Sequence, residues 1–142
     1  RIAKESDRNL RRALLMLETC RVSSYPFQDS QNIELPHWQI FIRDISQSII
    51  QSQSSEKLMD IRSKLYELLS RCIPSDIIMK ELLMGLLPFL DNVIKNETIQ
   101  LAAHYENRLR KGSKAIFHLE AFIAHVMFNY KRYIDEGIVD NL

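Results

Sequence analysis

The strongest constraint on the fold lies near the end of the sequence, where apolar residues recur every three or four positions. This spacing places them on one face of a helix. Three further apolar residues widen the face, so a helix here must be covered on more than one side. Neighbouring helices of the same chain can cover part of it, and a partner chain could cover the rest. The residues are Ile116, Leu119, Ile123, Val126 and Tyr130, widened by Ala115, Phe122 and Met127.

The boundaries of this helix and of the preceding one follow from residue types that favour helix ends. Asn96 is predicted to cap the preceding helix at its N-terminus, because its side chain can accept a backbone hydrogen bond there. That helix is predicted to stop at Gly112, since basic residues and a following glycine are typical of a helix C-terminus. Ser113 is predicted to cap the next helix.

The remainder of the chain shows the same spacing and no alternation typical of β-strands. Only three glycines and four prolines occur in 142 residues, which indicates long helices joined by few turns. The predicted fold class is therefore all-α. We expect one leading helical segment, a polar loop, and then five helices, with Pro74 opening the fourth helix of the chain and Pro88 kinking or ending it.

Composition excludes several classes of protein. The formal net charge is +1, so the chain lacks the concentrated positive field of free-standing nucleic-acid binders. Cys20 and Cys72 form no CxxC pair and are expected to be reduced thiols. No apolar run approaches the roughly 20 residues of a membrane span. Because the sequence opens on Arg1 within a helical pattern, we expect it to be part of a longer chain.

No arrangement of residues predicts an enzyme. The four histidines, His37, His104, His118 and His125, form no HExxH or other ligand pattern that predicts a metal site. The sequence also lacks the glycine-rich loops that hold phosphate groups. We therefore assign no catalytic residue and no metal ligand.

A basic cluster near the start of the chain allows two interpretations. Arginines near a helix N-terminus can bind a phosphate through several donors, and apolar Leu10, Ala13, Leu14 and Leu17 would anchor that helix. The simpler alternative is an exposed basic turn. A nucleic-acid-binding helical module is the alternative function, and it would use both basic clusters of the chain. These are Arg8, Arg11 and Arg12 near the start, and Arg108, Arg110 and Lys111 further on.

Longer segments resemble a known family. The segment RNLRRALLMLETCRV resembles the end of the lid subdomain in AAA+ clamp-loader subunits, where a G-D-x-R-x-A pattern carries the sensor-2 arginine. KLMDIRSKLYELLSRCIPSDIIMKELL and AHYENRLRKGSKAIFHLEAF are similar to the small subunits of eukaryotic replication factor C. The sensor-2 position falls on Arg11, which would bind the terminal phosphate of a nucleotide. Arg8 and Asn9 stand where the pattern has Gly and Asp.

The resemblance implies an organisation and a function. Residues 1–22 would be the terminal helix of the AAA+ lid, 23–35 a linker loop, and 36–142 a helical collar domain for oligomerisation. The collar would hold a heteropentameric, ATP-driven complex that loads a ring-shaped sliding clamp onto primer–template DNA during replication and repair in the nucleus. ATP or ADP with magnesium would bind to the full complex. No cofactor is expected in this chain, which would not be an enzyme by itself.

The last two helices supply the predicted contacts with other replication factor C subunits. Aromatic residues and arginine contribute much of the energy at protein interfaces. For three of the residues, Phe117, Phe122 and Tyr130, the alternative is a place in the chain's own core. The predicted interface residues are Tyr105, Arg108, Lys114, Phe117, Glu120, Phe122 and Tyr130.

Overall fold

The computed structural model describes residues 1–6 and 8–139, so the predicted end of the collar at residue 142 lies outside the described residues. Within them the chain is helical and contains no strand, which confirms the all-α prediction. The five helices predicted after the loop are also present. The elements are α1 (Ile2–Glu5), α2 (Leu10–Ser23), α3 (His37–Gln51), α4 (Ser55–Ser70), α5 (Ser75–Leu86), a 3₁₀ turn (Leu87–Phe89), α6 (Asn92–Lys111) and α7 (Ala115–Val139).

The chain divides into two compact units, Arg1–His37 and Trp38–Leu142. In the first unit α2 buries Met16 and Cys20, and the Gln31 side-chain amide donates a 2.6 Å hydrogen bond to the Cys20 carbonyl. The predicted anchoring face is wrong, because Leu10, Leu14 and Leu17 are all exposed. The buried side of α2 is the one that meets this following loop, and Leu17 lies at the edge of that side, where it lines a pocket together with Cys20 and Gln31.

The core of the second unit is built around α7. This helix packs against α4, α5 and α6, as expected for a helix with apolar residues around much of its circumference. Each helix of the second unit contributes buried residues at three- and four-residue spacings. Fully buried side chains include Ile42, Ile45, Ile49, Ile61, Leu65, Leu68, Ile78, Leu82, Leu86, Leu119, Phe122 and Ile123.

A close approach between α3 and α5 occurs at Ser46 and Gly85. The buried Ser46 hydroxyl lies 3.1 Å from the Ile42 carbonyl and 3.4 Å from the Leu82 carbonyl on α5, and it can donate to either. A β-carbon added at Gly85 would lie 2.5 Å from Ser46 Oγ. A side chain at position 85 would therefore force Ser46 or the two helices to move.

The end of α4 shows the backbone pattern of a Schellman motif. The Cys72 amide donates to the Leu69 carbonyl at 3.0 Å, and the Ile73 amide donates to the Leu68 carbonyl at 3.4 Å. Cys72 has a φ of 59°, in the left-handed region that glycine usually occupies at this position. Cys72 thus carries a β-carbon at a position where glycine, which has none, is favoured.

Several predicted helix ends need correction. The helix predicted to start at Asn96 starts earlier, at Asn92, and Asp91 occupies the N-cap position. The side chain of Asp91 accepts a 2.8 Å hydrogen bond from the Tyr133 hydroxyl and makes no cap bond. Pro88 lies in the 3₁₀ turn after α5, so it ends the helix as predicted.

The connection between α6 and α7 also differs in detail from the predicted one. Helix α6 stops before Gly112, as predicted, but Gly112 has an extended conformation with φ −90° and ψ 156°. Its lack of a side chain leaves room for the His118 imidazole, which a β-carbon would strike. Ser113 is not adjacent to α7, because that helix begins at Ala115 and Lys114 directly precedes it.

Candidate partner-binding face and arginine groove

One side of α7 carries a row of exposed and partly exposed residues, which we call the outer stripe. It consists of Phe117, Ala121, Ala124 and Phe128, at spacings of four, three and four that return to one side of a helix. Phe117 is 52% exposed and Phe128 is 61% exposed, whereas the two alanines between them are only partly exposed and Ala121 also packs against the core. Two large aromatic side chains on one exposed helix face are typical of a surface that binds a partner.

Each phenylalanine of the outer stripe has a cation over its ring. Lys114 Nζ lies 5.7 Å from the Phe117 ring centroid, and Arg132 Cζ lies 5.9 Å from that of Phe128. Both distances are within the range of a cation–π interaction. Arg132 also lies 3.8 Å from a carboxylate oxygen of Glu97 and 3.8 Å from one of Glu136. The outer stripe is therefore apolar along its length, with Lys114 at one end and, at the other, Arg132 beside two carboxylates.

Two of the predicted interface residues belong to the core. Phe122 is fully buried, and Tyr105 is buried with its ring centroid 6.3 Å from that of Phe122. The Tyr105 hydroxyl lies 2.8 Å from Nδ1 of His125. The prediction that these two residues are exposed is wrong, because Tyr105 and Phe122 lie on the facing sides of the packed α6–α7 pair.

The other predicted interface residues occupy different surroundings. Arg108, Lys114 and Phe117 are exposed, so their roles at an interface stay predictions. Tyr130 is partly buried against the core. Glu120 is also partly buried and forms an ion pair.

Glu120 joins α7 to α4 through an ion pair. The Arg62 guanidinium lies 3.4 Å from the Glu120 carboxylate, and its Cζ lies 5.9 Å from the Tyr66 ring centroid. Hydrogen bonding with the Tyr66 side chain, followed by the negative charge of Glu120, raises the pKa of Arg62 above its ordinary value. Glu120 is thus engaged within the chain.

Sequence reasoning missed Phe128. A signal was available, because Phe128 follows Phe117 by eleven residues, close to three full turns of helix. Both therefore lie opposite the stripe that contains Leu119 and Ile123. The position of a residue around the helix, rather than its aromatic character, separates the exposed phenylalanines from Phe122.

The first unit contains a groove of about 400 Å³ beside the start of α2. Arg11 lies exposed in the first turn of α2 and lines this groove together with Arg12 and His37. The backbone amides at a helix start favour an anion. Arg11 and its surroundings thus suit a phosphate, although Glu34 also lines the groove and opposes an anion there.

The two residues before α2 show why Gly and Asp suit these positions in the G-D-x-R-x-A pattern. Arg8 has a φ of 61°, a left-handed conformation that favours glycine. Asn9 is the N-cap of α2, and its side-chain oxygen accepts a 3.2 Å hydrogen bond from the Arg12 amide. A Gly-Asp pair would satisfy the same two requirements, a left-handed residue followed by a capping side chain.

The residues of the alternative nucleic-acid function are divided between the two units. Arg8, Arg11 and Arg12 belong to the first unit, whereas the second basic cluster belongs to the second. In the second cluster, Arg110 forms a 2.6 Å ion pair with Glu106.

Across the part of the chain that the structure describes, no three metal-ligating side chains come together, and no helix is long and apolar enough to cross a membrane.

Comparison with protein families agrees with this architecture. The family model described as the RCF1/5-like AAA+ ATPase lid domain matches residues 1–22. Because a lid is followed by a helical unit, the chain belongs to the class of AAA+ subunits that have an all-α C-terminal domain. The family model for the C-terminal domain of replication factor C subunit 3 matches residues 38–134. The chain belongs to this replication factor C family.

Individual relatives show the same similarity over nearly the whole chain. Replication factor C subunit 3 of Mus musculus is 49% identical over 138 residues, which are 97% of this chain and 39% of the relative. The subunit 3 protein of Arabidopsis thaliana is 48% identical over 94% of this chain and 38% of its own length. Replication factor C subunit 5 of Schizosaccharomyces pombe is 45% identical over 91% and 37% respectively. The chain thus spans about two-fifths of the length of these relatives.

Proposed function

We propose that this chain carries the oligomerising collar of a clamp-loader subunit and assembles through it with other replication factor C subunits. The observation that carries the proposal is the outer stripe of α7, where Phe117 and Phe128 are exposed on one side of the helix. Family membership supports the identity of the partners, because the matched family is named for a subunit of a larger factor.

The whole complex would load a ring-shaped sliding clamp onto primer–template DNA in the nucleus, with ATP and magnesium bound elsewhere in the assembly. In this chain Arg11 would hold the terminal phosphate of the nucleotide, and its guanidinium would offset the phosphate charge. Its exposure in the first turn of α2 and its place in the groove support that assignment. The chain by itself would be a binding module and not an enzyme.

The test is assembly with the other subunits. The chain would be co-expressed with each remaining replication factor C subunit of its organism, and the products would be analysed by native mass spectrometry. We expect a defined hetero-oligomer with one or two of the subunits. A chain that stays monomeric with every subunit, and with all of them together, would refute the proposal.

A second measurement addresses the alternative function. Binding of the chain to a primed DNA duplex would be followed by fluorescence anisotropy over a series of salt concentrations. We expect little binding at low micromolar protein, because the net charge is only +1. Strong binding that weakens steeply with salt would instead support a nucleic-acid-binding module.

A further inference from the structure

We propose that Ser113 is a phosphorylation site for a protein kinase whose acidic substrate cleft binds basic residues. The phosphoryl group comes from ATP. The Ser113 hydroxyl oxygen attacks the γ-phosphorus while the bond from that phosphorus to the β–γ bridging oxygen breaks, so that ADP leaves and the hydroxyl proton passes to a carboxylate of the kinase. This inference is independent of the proposed function.

The observation that carries the inference is the spacing of basic residues before this serine. Arg110 lies three residues before Ser113, and Lys111 lies two residues before it. Kinases select substrates by such charge patterns, because carboxylates in the cleft pair with cations at set distances from the acceptor hydroxyl. Ser113 is the one serine or threonine of the sequence with basic residues at both of these positions. Basic residues at a helix end also suit the helix dipole, but that role sets no distance to a serine.

The segment that holds Ser113 is accessible. Residues 112–114 connect α6 to α7, and all three are exposed and lie outside the helices. Gly112 already has an extended conformation, with φ −90° and ψ 156°. Two other serines follow an arginine by three residues, but Ser46 is fully buried and Ser24 is partly buried. Exposure and charge pattern therefore coincide at Ser113.

Presentation of the two basic residues requires only the end of α6 to unwind. Arg110 and Lys111 are the last two residues of that helix, and both are exposed. The last four carbonyls of a helix have no partner within it, so unwinding two residues there breaks few hydrogen bonds. Leu109 is buried and can stay in place. The acceptor and its nearest cations can thus enter a cleft while the core stays folded.

One ion pair within the chain competes with the kinase for Arg110. Its guanidinium lies 2.6 Å from the Glu106 carboxylate, and 71% of the Arg110 side chain is exposed. An exposed pair of this kind contributes little free energy, so a carboxylate of the kinase can replace Glu106. Arg108 is also exposed and adds positive charge from within the helix.

The fold can accommodate the phosphate once it is attached. Lys114 is exposed directly after Ser113, and α7 begins at Ala115. A phosphoserine carries a charge of about −1.5 to −2 at neutral pH, which favours the positive N-terminal end of a helix and a neighbouring cation. The modification should therefore leave the chain folded.

The test is phosphorylation of the folded chain with ATP, magnesium and the catalytic subunit of cyclic-AMP-dependent protein kinase, an enzyme directed by basic residues. Tandem mass spectrometry would locate the phosphate, and initial rates would give kcat/KM. We expect modification of Ser113, and Ser113→Ala should abolish it. Arg110→Ala should lower kcat/KM by about tenfold or more. Glu106→Gln should raise kcat/KM about twofold, because it releases Arg110 from its ion pair.

A matched control is available at the end of α4. Arg71 is 58% exposed and forms an ion pair with Glu67 at the same four-residue spacing. Arg71→Ala therefore removes the same charge and the same kind of ion pair at another helix end. It should leave kcat/KM for Ser113 within about twofold of wild type.

The outcomes are decisive for Ser113 and separate from the proposed function. A folded chain that takes up no phosphate, or takes it up only on other residues, would refute the inference. Equal rates for wild type and Arg110→Ala would also overturn it, because the basic spacing would then not be recognised. Assembly with the other subunits is measured separately, so either proposal can fail while the other stands.

Discussion

Cys72 offers a test of whether backbone conformation limits the stability of the second unit. The residue follows α4 with a φ of 59° and donates its amide to Leu69 in the Schellman motif. A left-handed conformation costs a residue with a β-carbon about 1–2 kcal/mol relative to glycine. Glycine loses about 0.5–1 kcal/mol more than other residues in backbone entropy on folding. Cys72→Gly should therefore raise the free energy of unfolding by about 0.5–1 kcal/mol.

The assay is urea unfolding under reducing conditions, followed by circular dichroism. The glycine variant should unfold at higher urea concentration with an unchanged m-value, and its Tm should rise by about 2–3 °C for a chain of this size. Cys72→Ala is the matched control, because it removes the thiol and keeps the β-carbon. It should lie close to wild type.

The comparison between the two variants decides the result. If Cys72→Gly is no more stable than Cys72→Ala, the left-handed conformation is not a source of strain and the reasoning is wrong. If both variants are equally more stable than wild type, the exposed thiol and not the backbone is responsible.

Three further substitutions test other features. Asn9→Ala should speed amide hydrogen exchange in the first turn of α2 by about fivefold, because about 1 kcal/mol of capping is lost; Asn9→Asp should keep the protection, and equal exchange in all three proteins would contradict the cap. Gly85→Ala should lower the free energy of unfolding by about 1–3 kcal/mol through its clash with Ser46, as measured in urea; an unchanged value would show that the helices move apart freely. Phe122→Ala should cost about 3–5 kcal/mol, whereas Phe117→Ala should change stability by less than about 0.5 kcal/mol; comparable losses would refute the assignment of one residue to the core and the other to the surface.

The helices of the second unit could be predicted because each buries one face, and burial leaves a three- and four-residue spacing in the sequence. The start of α6 could not be located this way. Asp91 and Asn96 are both suitable caps, and the choice between them depends on burial of Ile94, which extends the helix toward its N-terminus. Local capping preferences are smaller than the free energy of burying such a side chain.

The exposed residues of the candidate interface were harder to predict than the fold. Residue type favoured Tyr105 and Phe122 equally with Phe117, but contacts between α6 and α7 decide which of them is covered. The approach of Ser46 to Gly85 had no signal in the sequence, because it joins two helices distant along the chain. Such contacts require the packed structure.

The α6–α7 pair has a kinetic consequence. Its two long helices are joined only by residues 112–114, so the contact between Tyr105 and Phe122 closes a short loop at little entropic cost. The contact between Ser46 and Gly85 spans 39 residues, against 17 between Tyr105 and Phe122. We therefore expect the α6–α7 hairpin to form in the folding transition state and the α3–α5 contact to form afterwards. Weakening Tyr105 would then slow folding, whereas Gly85→Ala would chiefly accelerate unfolding.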